Sequence, residues 1–181
     1  MSLTKIVKLD SLNIKLGYLK EAADILGNAG LVIMPTETVY GIAANMADAG
    51  AIERLCQIKQ RPKDKPFSLL IDTNEKIEYF AQDIPVPAYK LMDKFWPGPL
   101  TLVLKSRNKH SSSRAGLGKD TVGIRMPDDN IALRIIALSG VSVVCPSANI
   151  SGKPAPTNFA DAIKGLEGLV DFAIDAGSTR L

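Results

Sequence analysis

Two short polar segments, each directly after an apolar run, carry side chains of this sequence that could bind a ligand. Residues 35–41 read P-T-E-T-V-Y-G and follow the apolar run 31–34. Residues 146–152 read P-S-A-N-I-S-G and follow the apolar run 141–144. Loops at the carboxyl ends of buried strands hold the ligand sites of many α/β folds, so both segments are candidate binding loops. Either segment alone is more typical of a turn or a helix cap, and it is the occurrence of two such segments that favours a binding site.

A dense run of basic residues lies between these two segments. Residues 54–65 contain five cations against one acid, Asp64, and Pro62 interrupts the helical pattern within the run. The later cations are therefore predicted on a loop that leads into an apolar strand. Arginine gives planar bidentate contacts and lysine gives point charge, which together suit a polyphosphate. A solubilising helix end is the alternative interpretation.

A third pattern, T-V-G-I-R-M-P at residues 121–127, places an arginine inside a strand-like run. Strict alternation puts Thr121, Gly123 and Arg125 on one face of the strand, and we expect that face to lie outside the core. Two interpretations of Arg125 remain open here. It is either a ligand for a carboxylate or phosphate, or a surface or ion-paired arginine.

Helical and strand patterns alternate along the chain and must position these residues. Apolar spacing predicts helices at residues 14–26, 51–58, 75–81, 87–95, 129–138 and 158–165, and strands at 31–34, 67–71, 100–104, 121–126, 141–145 and 169–174. This order predicts an α/β sandwich with a largely parallel or mixed sheet. The Ser-, Lys- and Arg-rich loop 106–119 is the candidate for a mobile lid.

Composition argues against several classes of protein. A chain of 181 residues with a formal net charge of +3 is too weakly basic to attract nucleic acid through its overall charge. Its apolar runs are far shorter than the roughly 20 residues of a membrane helix, and the N-terminus lacks a signal pattern, so a cytoplasmic protein is predicted. Two cysteines and one histidine suggest neither a zinc site nor a disulfide scaffold.

Common catalytic motifs are also missing from the sequence. The lone histidine makes a Ser-His-Asp triad improbable, no complete P-loop or G-x-G-x-x-G occurs, and Cys145 is predicted to be a buried, inert thiol. What remains is a candidate site of cations and hydroxyls without an evident nucleophile. Such a site acts by positioning and charge stabilisation, as nucleotidyl transfer requires.

Five ordered motifs resemble the YrdC-like family of threonylcarbamoyl-AMP synthases. They are P-T-E-T-V-Y-G, K-Q-R-P-K-D-K-P-F-S, F-W-P-G-P-L-T, T-V-G-I-R-M-P and P-S-A-N-I-S-G-K-P-A-P-T, from about residue 10 to the end. The resemblance implies a three-layer α/β sandwich around a twisted mixed sheet, similar to dihydroxybutanone-phosphate synthase, with a deep basic cavity. It also implies a single domain over residues 1–181, without the second C-terminal domain of longer members.

The activity implied by the resemblance is the condensation of L-threonine, bicarbonate or carbon dioxide, and ATP into threonylcarbamoyl-AMP and pyrophosphate. The product would pass to a separate transferase complex that modifies adenosine 37 of tRNA. Mg²⁺ would arrive with ATP, without metal ligands from the protein. Two alternatives remain: an RNA-binding protein that uses the same basic cavity, and a paralogue with another acyl acceptor. The near-neutral charge and the lack of aromatic stacking residues speak against RNA binding.

By position, the resemblance also assigns roles to individual residues. ATP would be bound by Lys59, Lys63, Lys65, Thr121, Ser147 and Asn149. Threonine would be bound by Thr36, Tyr40, Ser68 and Arg125, with Arg125 facing the carboxylate. Lys59, Arg61 and Arg125 would position the reactants. Some members carry a histidine in the strand after the basic loop, and residues 69–71 supply none. Because a carbamate and a mixed anhydride both decompose in water, we expect the site to close around them.

Overall fold

The computed structural model describes residues 3–9, 14–62, 65–107 and 120–181. These residues form one eight-stranded sheet in the order β1-β8-β2-β3-β7-β4-β6-β5. The strands are β1 (Lys5–Lys8), β2 (Val32–Met34), β3 (Gly41–Asn45), β4 (Ser68–Leu70), β5 (Leu102–Lys105), β6 (Thr121–Arg125), β7 (Val143–Val144) and β8 (Phe172–Asp175). The β8 strand pairs in parallel with β1 and β2, and β4 pairs in parallel with β6, whereas the other neighbours are antiparallel. The predicted mixed sheet is therefore confirmed.

Six helices accompany the sheet within the described ranges. They are α1 (Leu16–Gly27), α2 (Ala49–Lys59), α3 (Ile77–Phe80), α4 (Val86–Phe95), α5 (Asn130–Ser139) and α6 (Phe159–Ile163). Asp48 begins α2 by accepting a hydrogen bond from the amide of Ala51, and Asp129 caps α5 in the same way. Gly140 ends α5 in the left-handed conformation, φ 64°, which glycine adopts without strain. No helix in the described part of the chain combines the length and the apolarity needed to cross a membrane.

Helices lie on both faces of the sheet, as a three-layer sandwich requires. On one face, α1 and α5 bury residues such as Leu26 and Ile135 against the strands. On the other face, α2, α4 and α6 pack through residues such as Leu55 and Met92. The first layer covers the strands from β1 to β7 and reaches β4 only at Leu70. The remaining part of that face has no helix over it among the described residues.

We call this uncovered part the open sheet face, formed by β4, β6 and β5. Register places Ser68 beside Gly123, and Gly123 beside Val103. Val122 and Ile124 are buried towards the α2 side, whereas Thr121 is exposed and Val103 is 68% exposed. The predicted alternation in β6 is therefore confirmed. The face directed away from the core carries Thr121, Gly123 and Arg125.

The strands β1 and β3 were not predicted from the sequence. β3 reads G-I-A-A-N, and Ile42 is its one β-branched residue, so its local preference for strand is weak. It forms because it lies buried between β2 and β7. Two predictions fall outside the described residues: the phosphate role of Lys63, and residues 108–119 of the loop interpreted as a lid.

Candidate functional site

The loop at residues 35–40 connects β2 to β3 and is held together by Thr36. Its hydroxyl donates to the Val39 carbonyl at 2.7 Å and accepts from the amides of Thr38 and Val39 at 3.3 and 3.2 Å. Thr36 is also buried. The hydroxyl that was predicted to meet threonine is thus engaged inside the loop, and its observed effect is to fix the positions of the following residues.

An ion pair, one of the two interpretations of Arg125 given above, joins this loop to the end of β6. Arg125 Nη2 donates to Glu37 Oε1 at 2.7 Å and to Thr38 Oγ1 at 2.9 Å. The side chains of Arg125 and Glu37 are only 16% and 3% exposed. Both Nη2 protons are therefore used by the protein, and Nε is buried without a partner among the described residues. Nη1 is the nitrogen left for another partner.

Tyr40, at the end of this loop, has a fully buried side chain. Its hydroxyl donates to the Gly177 carbonyl at 3.0 Å and accepts from the Ala176 amide at 2.9 Å. Burial raises the pKa of Tyr40 to about 12. The ring packs edge-on against Phe159 with centroids 6.0 Å apart. In this structure the Tyr40 hydroxyl anchors the segment after β8, and a contact of Tyr40 with threonine stays a prediction.

Lys59, at the end of α2, is a buried cation that is 2% exposed. Its ammonium donates to the carbonyls of Ser147 and Asn149 at 2.5 and 2.7 Å, and more weakly to Asn149 Oδ1 at 3.4 Å. Burial, together with the nearby charge of Arg61, lowers the pKa of Lys59 to about 8. The ammonium is thus engaged by the 147–149 loop, and a direct contact of Lys59 with a phosphate stays a prediction. These bonds fix the conformation of the 147–149 loop and place a positive charge next to its backbone.

The basic loop before β4 is organised by Arg61. Its guanidinium donates to the carbonyls of Lys65 and Pro66 at 3.3 and 2.7 Å and lies 4.8 Å from the centroid of the Phe67 ring. The remaining donors of Arg61 and the exposed Lys65 side chain are available to an anion. This loop leads directly into Ser68 on the open sheet face.

Gly123 gives the open sheet face a flat floor. A Cβ atom there would lie 2.9 Å from Ser68 Oγ and 3.5 Å from the Thr101 methyl, which is too close for the hydroxyl to stay in place. Ser68, Thr121 and Arg125 therefore surround a surface on which a ligand could approach the backbone. Val103 and the Thr101 methyl group add apolar area to this face that was not predicted, although the alternation T-L-V-L-K at residues 101–105 could have indicated it.

The two polar loops predicted from the sequence meet in the structure. Gly41 bridges to Ser147, the Ala148 amide donates to the Tyr40 carbonyl at 2.8 Å, and the Ile42 amide donates to the Pro146 carbonyl at 2.8 Å. Cys145 lies within the electrostatic reach of both Arg125 and Lys59, yet burial prevails and raises the pKa of its thiol to about 12. The raised pKa keeps the thiol neutral at physiological pH, as the predicted inertness requires, although Cys145 is half-buried rather than fully buried.

Gly41→Ala is expected to disrupt the junction between the two loops. A Cβ atom at this position would lie 2.4 Å from Cys145 Sγ and 3.1 Å from the Pro146 carbonyl oxygen. The 146–149 loop must therefore move, and we expect a loss of about 1–3 kcal/mol in the free energy of unfolding, measured by urea denaturation. Gly17→Ala is the matched control, because open space surrounds that helical glycine. Equal stability of the two variants would contradict the tight packing at Gly41.

Comparison with known proteins gives a consistent result. The Sua5/YciO/YrdC family model, described as telomere recombination, matches residues 24–181. Threonylcarbamoyl-AMP synthase of Pyrococcus abyssi is 44% identical over 160 residues, which cover 88% of this chain and 47% of that protein. Threonylcarbamoyl-AMP synthase of Bacillus subtilis is 38% identical over 172 residues, which cover 95% of this chain and 50% of that protein.

A solved structure resembles the fold over nearly the whole chain. P. abyssi Sua5 complexed with L-threonine aligns with a TM-score of 0.89 and 40% identity, covering 99% of this chain and 52% of that one. The chain thus spans about half the length of these relatives.

Proposed function

This chain belongs to the Sua5/YciO/YrdC family, and we propose that it condenses L-threonine, bicarbonate or carbon dioxide, and ATP into threonylcarbamoyl-AMP and pyrophosphate. One observation carries the proposal. A structure of P. abyssi Sua5 complexed with L-threonine resembles this chain over 99% of its length at 40% identity. The open sheet face, where hydroxyls and a guanidinium surround a flat floor, is the region we propose for the reactants.

The two ends of this region suit two different anions. At one end, Arg125 keeps Nη1 of its guanidinium for the carboxylate of threonine, with Ser68 on the same sheet face. At the other end, the basic loop of Arg61 and Lys65, with the charge of Lys59 behind the 147–149 loop, would face the phosphates. Mg²⁺ would accompany ATP, because it prefers phosphate oxygens and water.

The proposed reaction needs no nucleophile from the protein. The uncharged amine of threonine attacks carbon dioxide and loses a proton, which gives a carbamate. A carbamate oxygen then attacks the α-phosphorus of ATP, and the bond to the β-phosphate oxygen breaks to release pyrophosphate. The chain contributes by holding the carboxylate and the triphosphate so that the oxygen meets the phosphorus in line. We further propose that the product is used in the cytoplasm by a tRNA-modifying transferase.

Release of pyrophosphate from ATP is expected only when L-threonine and bicarbonate are both present, because the carbamate must form before the α-phosphate can be attacked. A coupled pyrophosphate assay with each substrate omitted in turn measures this dependence. Mass spectrometry of the product distinguishes threonylcarbamoyl-AMP from a conjugate of another amine, as a paralogue would make. Equal release without threonine would defeat the synthase proposal, and tight tRNA binding without turnover would favour the RNA-binding alternative.

A further inference from the structure

A short segment after β8, residues 177–181, lies against the loop that connects β2 to β3, and we call it the strap. It begins at Gly177, whose carbonyl accepts the bond from the buried Tyr40 hydroxyl at 3.0 Å. The Thr179 amide then donates to the Thr157 carbonyl at 2.7 Å. The strap is therefore fixed where it begins, before it reaches the loop.

The strap bonds to two successive carbonyls of that loop. The Thr179 hydroxyl donates to the Thr38 carbonyl at 2.9 Å. The amides of the two residues that follow Thr179 donate to the Glu37 carbonyl at 3.1 and 2.9 Å. Glu37 and Thr38 are also the two residues whose side chains accept from Arg125 Nη2. Each of them is thus held by the strap through its backbone and holds Arg125 through its side chain.

The strap also contacts the segment that follows Arg125. Arg180 Nη2 donates to the carbonyl oxygen of Asp128 and, at 3.0 Å, to its Oδ2. Asp128 lies three residues after Arg125 in the chain. The two side chains are 63% and 53% exposed, and exposed ion pairs contribute little to stability. The bonds of Arg180 therefore connect the strap to both segments that carry the Arg125–Glu37 pair without adding much to the stability of the fold.

The orientation of the Arg125 guanidinium depends on this support. Its Nε is buried and has no hydrogen-bond partner among the described residues, and both Nη2 protons bond to the loop. Nη1 is the nitrogen left for a ligand. A small movement of Glu37 and Thr38 would turn the guanidinium, and a hydrogen bond from Nη1 weakens steeply when it is misaligned.

We propose that Thr179 is a positioning residue, which holds the Thr38 backbone so that Nη1 of Arg125 faces the substrate. Thr179 acts through Thr38 and Arg125 and does not itself contact the substrate. The inference rests on the proposed function for the identity of that substrate, L-threonine. A strap with a purely structural role would stabilise the fold without changing the affinity for one substrate relative to the other.

Thr179→Val tests the role of the hydroxyl, because valine has nearly the same shape and leaves the backbone bonds of the strap in place. By titration calorimetry, the L-threonine Kd is expected to rise about fivefold and the ATP Kd to stay within about twofold of wild type, since only the threonine site contains Arg125. Thr179→Ser keeps the donor and should restore the threonine Kd. An unchanged threonine Kd in Thr179→Val, or no restoration in Thr179→Ser, would overturn the proposal.

Ser178→Ala is the matched control in the same segment. The Ser178 hydroxyl makes no hydrogen bond to any described residue, and its backbone bridges to Asn158. This variant should bind L-threonine as the wild-type protein does. A loss equal to that of Thr179→Val would mean that any change in the strap weakens binding, which contradicts a specific role for the Thr179 hydroxyl.

The same substitution in an Arg125→Ala background shows whether Thr179 acts through Arg125. If it does, Thr179→Val should have no further effect on the threonine Kd once the guanidinium is absent. The full fivefold loss in that background would show that Thr179 affects the substrate by another route, and the proposal would be wrong.

A measurement without ligand separates this inference from the proposed function. Exchange of the buried Arg125 Nε proton with water, followed by NMR and assigned by its loss in Arg125→Ala, reports how firmly the guanidinium is held. We expect this exchange to be at least about tenfold faster in Thr179→Val than in the wild-type protein or in Ser178→Ala. Equal rates would refute the positioning role. Faster exchange in a protein whose wild type binds no threonine would support the positioning role and refute the proposed function.

Discussion

Arg125→Ala is expected to weaken L-threonine binding by about 10–100-fold while leaving ATP affinity within about threefold of wild type. The guanidinium would form a charge-assisted pair with the substrate carboxylate, and such a pair contributes about 1.5–3 kcal/mol. The same change strands Glu37, which is 2% exposed, without its cation. We therefore also expect the free energy of unfolding to fall by about 3–5 kcal/mol. Titration calorimetry and urea denaturation measure the two effects.

A second substitution separates binding from stability. Adding Glu37→Gln to Arg125→Ala removes the stranded charge and should restore much of the stability, but none of the threonine affinity. Lys105→Ala is a matched control, since Lys105 lies on the same sheet face as Arg125 and is exposed and paired with Asp83 at 2.5 Å. Equal losses of threonine and ATP affinity in Arg125→Ala would show that Arg125 holds phosphate or structure. No loss of either would place it outside the site.

Much of the fold could be predicted because local patterns and tertiary packing agree. The helix over residues 16–27 buries Leu19, Ala22, Ala23 and Leu26 at helical spacing, so its apolar positions alone indicate it. In β6, the apolar residues Val122 and Ile124 are buried and the residues between them are not, as the alternation in the sequence predicts. β3 shows the opposite case, because its alanines favour helix while its position between two strands makes it a strand. Its partner β7 lies about 100 residues away, and no local pattern reports that pairing.

The polar segments of the candidate site were predicted from the sequence, but the hydrogen bonds that connect them were not. The sequence indicated that residues 35–41 and 146–152 form polar loops after strands, and the structure brings both together. It could not indicate that Lys59 bonds to carbonyls of the second loop, because the partners are separated by 88 and 90 residues. The hydroxyl partners of Tyr40, near residue 177, were not predicted for the same reason. A sequence motif shows which polar side chains are present. Their hydrogen-bond partners depend on which distant segments the fold brings next to them.

The buried charge of Lys59 gives the other large expected effect. Lys59→Met keeps much of the length of the side chain but leaves the Ser147 and Asn149 carbonyls without their donor. We expect pyrophosphate release to become undetectable, because the 147–149 loop loses its anchor and the phosphate side loses a cation. The free energy of unfolding is expected to fall by about 2–3 kcal/mol, since part of the lost bonding is offset by relief of the buried charge. The pyrophosphate assay and urea denaturation report these two quantities.

The pH dependence of the wild-type protein tests whether the charge itself matters. The pKa of Lys59 is lowered from its ordinary value of 10.5 to about 8 in the fold. Between these values the folded protein binds fewer protons than the unfolded chain, so the contribution of Lys59 to stability rises as pH rises through this window. ATP affinity should change in the opposite direction and fall above about pH 8, because the ammonium is lost. Lys59→Met should lack both of these changes. An ATP affinity that stays level from pH 7 to 10 in the wild-type protein would show that Lys59 acts through packing rather than through charge.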